Sequence, residues 1–304
     1  MRHASMTRRT WMQLTAMGVA GAATGRAMFA QAKRPLGVQL YTVRDKLGAD
    51  AEATLKAIAS IGYTEVELLR ADSARIAPLA KASGLQPVSM HIEPPLVTGN
   101  WDAWAEAVKP ENRATLEQTI DQAKGFGVRY LVVSYLMPAE RAGGQAFFDQ
   151  FADQLNRAGE IARKAGLVMG YHNHAFEFET LPDGRRALDA LIARMDPTLV
   201  RLEMDVFWVS MAGGNPVDLL SKYAGRVALV HLKDKAKEAA RTTDERQVPK
   251  DAFKEVGSGA LDFAAILKAA DAAGVEHYFV EQDQTPGDPI ASLRKSYEYL
   301  QTLA

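Results

Sequence analysis

The sequence predicts a (β/α)8 barrel, an eight-stranded parallel barrel wrapped by helices in a single domain, over residues 33–304. Two observations predict it. Short apolar runs with strand character alternate with segments of helical spacing, eight of each in turn, which is the size and rhythm of a closed α/β barrel. The later runs also end, one after another, in side chains that bind a metal or move a proton: VMGYHNH, RLEMD, VALVHLKD and HYFVEQD. An open doubly wound sheet would normally carry a Gly-rich phosphate turn after its first strand. The turn here, TVRDKLG, has no GxGxxG.

The elements follow in order. LGVQLYTV (36–43) reads as the first strand, and DAEATLKAIASIG (50–62) as a helix closed by Gly62, a common C-cap residue. TEVELL (64–69) is the second strand, followed by a helix over 72–84 that Gly84 stops. PVSMHI (87–92) is the third. Residues 93–110, with their prolines and tryptophans, read as a long loop with a short helix. A helix over 111–126 leads to strand RYLVVSY (129–135), and a long helix covers 143–165. LVMGYHNH (167–174), a helix over 185–195, LVRLEMD (199–205) and a short helix over 216–223 come next. RVALVHLK (226–233), a polar loop over 234–258, a helix over 261–273, HYFVEQ (277–282) and a helix over 289–302 complete the chain.

Composition narrows the function. The 304 residues are 47% apolar and 24% charged with a net charge of −1, so the basic face that nucleic-acid binding needs is missing. Cysteine is absent, which removes disulfides, thiolate nucleophiles and Cys-based zinc sites. The remaining ligand types, His, Asp and Glu, suit Mn²⁺, Mg²⁺, Co²⁺ or Zn²⁺. Residues 1–32 stand apart. Arg8-Arg9 precede a weakly apolar, Ala/Gly-rich stretch ending in Ala30-Gln31-Ala32. That stretch is too mild for a stable membrane span. It resembles an export signal of the twin-arginine (Tat) type with an A-x-A cleavage site, so a periplasmic chain starting near Lys33 is expected.

In a barrel of this kind the active site lies at the carboxyl ends of the strands. Residues two apart on a strand share a face, so His172 and His174 both point inward. Asp205, His231 and Glu281 end their own strands at similar depth. His172, Asp205, His231 and Glu281 then make a five- or six-coordinate metal site with room for substrate oxygens. Such a metal acts as a Lewis acid and stabilises the enediolate left when a neighbouring C–H proton is removed. His174, Glu177, Lys233 and Glu281 are the acid/base and charge-stabilising candidates; Lys233 pairs either with a developing oxyanion or with Asp234, and Glu177 either moves a proton or orients a ligand histidine. His91, Trp208 and Tyr41 are candidate substrate contacts. Each residue alone has an ordinary structural explanation, and their joint occurrence at successive strand ends is the signal. His277 begins a strand, at the opposite face. VGSGALD (256–262) reads either as a backbone cradle for phosphate or as a tight turn.

GVQLYTVRD, GYHNHAFEF, EMDVFWV, VHLKD and VEQD, in this order, resemble the sugar phosphate isomerase/epimerase family. This belongs to the xylose-isomerase-like TIM barrel superfamily, which includes tagatose 3-epimerase, inosose dehydratase, hydroxypyruvate isomerase and endonuclease IV. The resemblance spans about residues 35–303. It implies a divalent metal, often Mn²⁺, held by His172, Asp205, His231 and Glu281. The epimerases have Glu where this chain has His172, and a His where it has Trp208. The Tyr-His-x-His run is closer to the inosose dehydratase branch. The resemblance therefore implies a metal-dependent isomerase or epimerase of a sugar or keto-sugar. The alternatives are a lyase or dehydratase acting on keto-sugars or 3-keto-glycosides, and a non-catalytic periplasmic sugar-binding protein. An endonuclease IV-like activity would need more histidine ligands than the six histidines allow. The expected partner is a small sugar, without nucleic acid or a stable membrane span; a homo-oligomer stays open.

Overall fold

Eight strands hydrogen-bond side by side until the last meets the first, leaving no free edge. They are β1 (Leu36–Gln39), β2 (Glu65–Leu69), β3 (Gln86–Ile92) and β4 (Tyr130–Val133). β5 (Val168–His172), β6 (Val200–Asp205), β7 (Val227–Leu232) and β8 (His277–Val280) follow. The ring order is β1-β8-β7-β6-β5-β4-β3-β2, and the pairs are parallel. This computed structural model describes residues 34–303. The export signal expected over residues 1–32 lies outside the described residues. Among the described residues no helix is long and apolar enough to cross a membrane.

All the strands but β3 are shorter than their apolar runs, and the surplus becomes the loops that carry chemistry. After β1, the Gln39 side-chain oxygen accepts from the Tyr41 N–H at 2.7 Å and draws Leu40–Val43 into a 3-10 turn. The helix expected over 111–126 begins only at Leu116. A capping box between Thr115 and Gln118 sets that start, because the two side chains satisfy backbone donors that the first turn leaves free. Among the described residues three α-helices have no counterpart in the sequence reading: Arg44–Ala49, Pro138–Arg141 and Val206–Met211. Val206–Met211 follows β6 directly, with Asp205 as its cap. Its sequence, VFWVSM, is apolar all round, so it carries no 3.6-residue stripe to read. The polar loop 234–258 contains a small antiparallel ribbon, Asp234–Lys235 against Phe253–Lys254.

Two apolar layers hold the barrel. Outward-facing Val38, Val66, Leu68 and Leu202 pack on helix residues such as Leu55, Ile58, Phe151 and Leu267. Inside the ring, Val88, Tyr130, Val132, Ala228, Leu229 and Phe279 form a separate plug. Gly37 leaves the space that Phe279 fills: a Cβ there would lie 2.4 Å from the Phe279 ring.

Two irregularities aim the site. Between β2 and β3 the pairing passes from Val66↔Pro87 to Glu67↔Ser89, leaving Val88 as an extra residue. Between β6 and β7 it passes from Leu202↔Val227 to Glu203↔Leu229, leaving Ala228 extra. Each bulge resets the in–out alternation of its strand by one. Beyond the bulges His91 and His231 turn into the barrel; unbroken alternation would send both toward the helices.

Gly37→Ala is expected to lower the stability of the protein by about 1–3 kcal/mol through overpacking, measured by urea unfolding. Gly48→Ala, with open space around its Cβ on helix Arg44–Ala49, is expected to be neutral or stabilising by up to ~1 kcal/mol.

Candidate active site

The barrel interior changes character just above the apolar plug. Gln39, Glu67, Ser89, His91, His172, Glu203 and His231 face one another there, and all but the partly exposed His91 are buried. Glu67 accepts from His231 Nε2 at 2.7 Å and from the Gln39 amide at 3.0 Å. The Ser89 hydroxyl also donates to it. Glu203 lies 2.8 Å from His91 Nε2 and 3.0 Å from His172 Nδ1. Burial alone would keep both acids neutral, but the imidazoles outweigh it. Glu203 is held at about 2 and Glu67 lower still. The influences on His91 oppose each other. Burial lowers its titration, and Gln39, whose amide lies 3.0 Å from Nδ1, favours the neutral ring; the charges of Glu67 and Glu203 draw it up to about 9.

Above this floor stand the four expected metal ligands. His172 Nε2 is 3.7 Å from Asp205 Oδ2, which is 4.0 Å from His231 Nδ1, which is 2.8 Å from Glu281 Oε2. The other nitrogen of each histidine rests on a floor carboxylate, Glu203 for His172 and Glu67 for His231. Ligating histidines are usually oriented this way. Burial drives the His172 pKa well below its ordinary value, so its ring is neutral and has a lone pair to give. Asp205 Oδ1 caps the following helix through the Trp208 N–H at 3.0 Å, while the buried Oδ2 is held by an ion pair with Lys233 Nζ at 3.0 Å. A buried carboxylate oxygen among two imidazoles and a second carboxylate, neutralised here by an ammonium, fits a divalent cation with nitrogen and oxygen preferences.

Lys233 is in the same group. Its Nζ lies 3.0 Å from Asp205, 2.8 Å from Glu281 and 2.7 Å from Asp283. The alternative pairing with Asp234 does not form, because Asp234 points the other way. Its carboxylate accepts from the N–H groups of Lys235, Gly257, Gly259, Ala260 and Leu261 at 2.8–3.1 Å. The donors of VGSGALD are therefore committed to the chain's own carboxylate, and the phosphate-cradle reading of that loop is corrected to a structural turn.

A cavity of about 740 Å³ opens above these groups. His91, His172, His174, Lys233, Glu281 and Asp283 line its polar side, and Tyr41, Trp104, Tyr135, Trp208 and Phe253 its aromatic side. Tyr41 is 39% exposed at the rim, with the Arg44 guanidinium 4.0 Å above its ring. His174 lies between Tyr135 and Trp208, with both ring centroids 5.1 Å away. Its Nδ1 and the Trp208 Nε1 are buried without partners. Burial, with Lys233 adding, drives the His174 pKa well below normal. Burial pushes Asp283 up to about 6 against the pull of Lys233. From the loop 234–258, Glu245 reaches across the mouth to accept from the Tyr135 hydroxyl at 2.7 Å and to pair with Arg141.

Glu177, expected as an acid/base group, does not line this cavity. It is fully buried and accepts from the Tyr171 hydroxyl at 2.6 Å and the His174 N–H at 2.9 Å. It fixes the turn that presents His174. The turn after β5 folds inward as a short 3-10 helix, Phe176–Phe178, which carries Glu177 under the loop. Gln39, Glu67, Glu203 and Asp283 were absent from the expected site. The i, i+2 rule that pairs His172 with His174 also pairs Glu203 with Asp205 and Glu281 with Asp283, and it flags Glu65 and Glu67 within an apolar run.

Burial raises the Glu177 pKa to about 7. The folded state therefore holds this proton where the unfolded state has lost it, and stability falls as pH rises from about 4.5 to 7. Glu177→Gln should remove that slope. Its stability relative to the natural protein should rise by roughly 3 kcal/mol at most between pH 4 and pH 8, measured by chemical unfolding across that range.

A family model described as xylose isomerase-like TIM barrel matches residues 55–303. Among curated proteins, inosose dehydratase of Geobacillus thermodenitrificans is 32% identical over 162 residues, covering 50% of this chain and 53% of the relative. Inosose dehydratase of Clostridium beijerinckii is 30% identical over 171 residues, covering 52% and 56%. The chain thus spans about half the length of the curated relatives it matches. A crystal structure of a sugar phosphate isomerase/epimerase from Parabacteroides distasonis superposes with a TM-score of 0.70 at 27% identity, covering 92% of this chain and 97% of that one. The match runs from the helix Ala51–Ile61 through the last helix, across the ends of β2 to β8, and by it the chain belongs to the xylose isomerase-like TIM barrel family.

Proposed function

We propose that this protein is an enzyme that removes the proton beside the carbonyl of a sugar or keto-sugar, with a divalent cation held by His172, Asp205, His231 and Glu281. The observation that carries this reading is the gathering of unsatisfied polar atoms on one cavity. His174 Nδ1 and Trp208 Nε1 are buried without hydrogen bonds on its wall, and the Lys233 that lines it ion-pairs with Asp205 Oδ2 at 3.0 Å. A hydroxyl-rich ligand would satisfy the two unpaired nitrogens, and a cation would take the place of the ammonium on Asp205. The names of the relatives, inosose dehydratase and sugar phosphate isomerase/epimerase, support the substrate class. Mn²⁺ is the metal we favour, with Mg²⁺, Co²⁺ and Zn²⁺ compatible with the same donors.

When bound, the cation supplies Lewis acidity, which polarises a substrate carbonyl and makes the adjacent C–H more acidic. The side chains do the rest. His174 is neutral and has an uncommitted nitrogen, so it is the base for the C–H proton. The Lys233 ammonium offers positive charge to the oxyanion that develops. Trp208 donates its N–H to a substrate hydroxyl, and the surrounding rings cover the apolar faces of the sugar.

Return of the proton gives an isomerase or epimerase. Loss of a hydroxyl or glycosidic group from the next carbon gives a lyase. Two observations favour the lyase as a second reading: the inosose dehydratase relatives, and an imidazole, His172, where the family resemblance implies an acid/base carboxylate in epimerases. With the VGSGALD donors taken by Asp234, the reading favours a sugar without phosphate. A periplasmic setting for the mature chain, as residues 1–32 lead us to expect, fits such a substrate.

The test is NMR of Mn²⁺-loaded protein with inososes and 3-keto-glucosides in D₂O. Deuterium entering intact sugar identifies isomerase chemistry, and release of water or aglycone identifies the lyase. Tight sugar binding with no exchange would sink both and leave a binding protein. His231→Ala and Glu281→Ala should each lose bound metal. His174→Gln should keep it and lose about 10²–10⁴-fold in rate.

A further inference from the structure

We propose that Lys233 is a built-in counter-cation of the metal site, resting on two ligand carboxylates when the metal is absent and moving onto Asp283 when it binds. The inference rests on the metal reading above and concerns what a cation must displace.

Two carboxylates buried this close together cannot both stay ionised without positive charge beside them. The Lys233 ammonium supplies it. Nζ sits 3.0 Å from Asp205 Oδ2 and 2.8 Å from Glu281 Oε2. These are the oxygens that face His231 Nδ1, at 4.0 and 2.8 Å. An arriving divalent cation needs the same oxygens and would meet the ammonium at close range, where like charges repel strongly. The third partner provides the way out. Asp283 Oδ1 is 2.7 Å from Nζ and outside the donor set, and its side chain is 19% exposed at the cavity wall, against 1% for Lys233. The flexible four-carbon stem lets the ammonium pivot between partners. The Trp208 ring, 5.6 Å from Nζ, adds a face that attracts a cation. Metal affinity is then a competition, weakened by the lysine and partly restored by Asp283.

The experiment titrates the metal-free full-length protein with Mn²⁺ alone, by calorimetry, and follows thermal unfolding with and without Mn²⁺. Lys233→Met is expected to bind Mn²⁺ about tenfold more tightly or better, because a competing charge is gone. Its metal-free form should melt lower than the natural protein. Asp283→Asn is expected to bind Mn²⁺ several-fold more weakly, because the displaced ammonium loses its second partner. These opposite directions are not what general damage to the fold would produce. Unchanged or weaker binding by Lys233→Met, or unchanged binding by Asp283→Asn, overturns the inference while leaving the metal reading intact. If Lys233→Met does not fold, Asp283→Asn alone decides. If neither the natural protein nor either variant binds a divalent metal, the metal reading falls, and the inference with it.

Discussion

Everything above the middle of the barrel depends on how two buried carboxylates are neutralised. Glu67 and Glu203 have essentially no solvent exposure, and an isolated ionised acid in such a place would be strongly penalised. Their partners are three imidazoles, those of His91, His172 and His231, whose ring centroids lie 4.6–5.4 Å apart. Each acid is tied to more than one ring, so no ring turns without disturbing both acids. The consequence is geometric. His172 has Nδ1 engaged and Nε2 directed upward, and His231 has Nε2 engaged and Nδ1 directed upward. The polar floor thus decides which nitrogen each histidine presents to the cavity.

That floor exists because the backbone breaks its own rhythm twice. The bulges at Val88 and Ala228 bring His91 and His231 inside. They lie on strands β3 and β7, across the ring from each other, so the polar layer closes from both sides. Below it, Gly37 gives Phe279 room to seal the barrel, which keeps water from the carboxylates from beneath. A site of this charge density needs both features: the bulges bring its members together, and the apolar plug makes their interactions strong.

How much of this could be read from the sequence follows from what each feature depends on. The ring of strands is written in local periodicity, and so are the four strand-end donors, because each closes an apolar run in plain view. Glu203 lay within reach of the alternation applied to His172 and His174, but in RLEMD the eye stops at the terminal Asp. Glu67 and Gln39 sit in early strands where no other ligand-type residue drew attention. The bulges belong to pairing rather than to either strand, so no single-strand pattern displays them. The helix Val206–Met211 was hidden because burial on all sides removes amphipathic spacing. Of the two roles open to Glu177, proton transfer and support of a histidine, the first is lost for a related reason. Its neighbours Phe176 and Phe178 are both buried, and the 3-10 turn between them carries the acid inward, away from the cavity.

The exchange of a carboxylate for His172 at the end of β5 links these points. In the epimerase pattern implied by the family resemblance, that position adds a third negative ligand and doubles as an acid/base group. Here the strand ends present two carboxylates and two imidazoles, and Lys233 offsets part of their charge. Fewer negative ligands hold a cation less tightly, which leaves it more electron-poor and a stronger Lewis acid toward substrate oxygens. The proton-transfer role cannot stay at a ring whose other nitrogen is committed to Glu203. Under the proposed function it passes two residues along the same face to His174, whose turn Glu177 anchors and whose Nδ1 is without a partner. On that proposal the loss of the epimerase carboxylate is what calls for His174, and the buried acid beneath it holds the turn that carries that histidine.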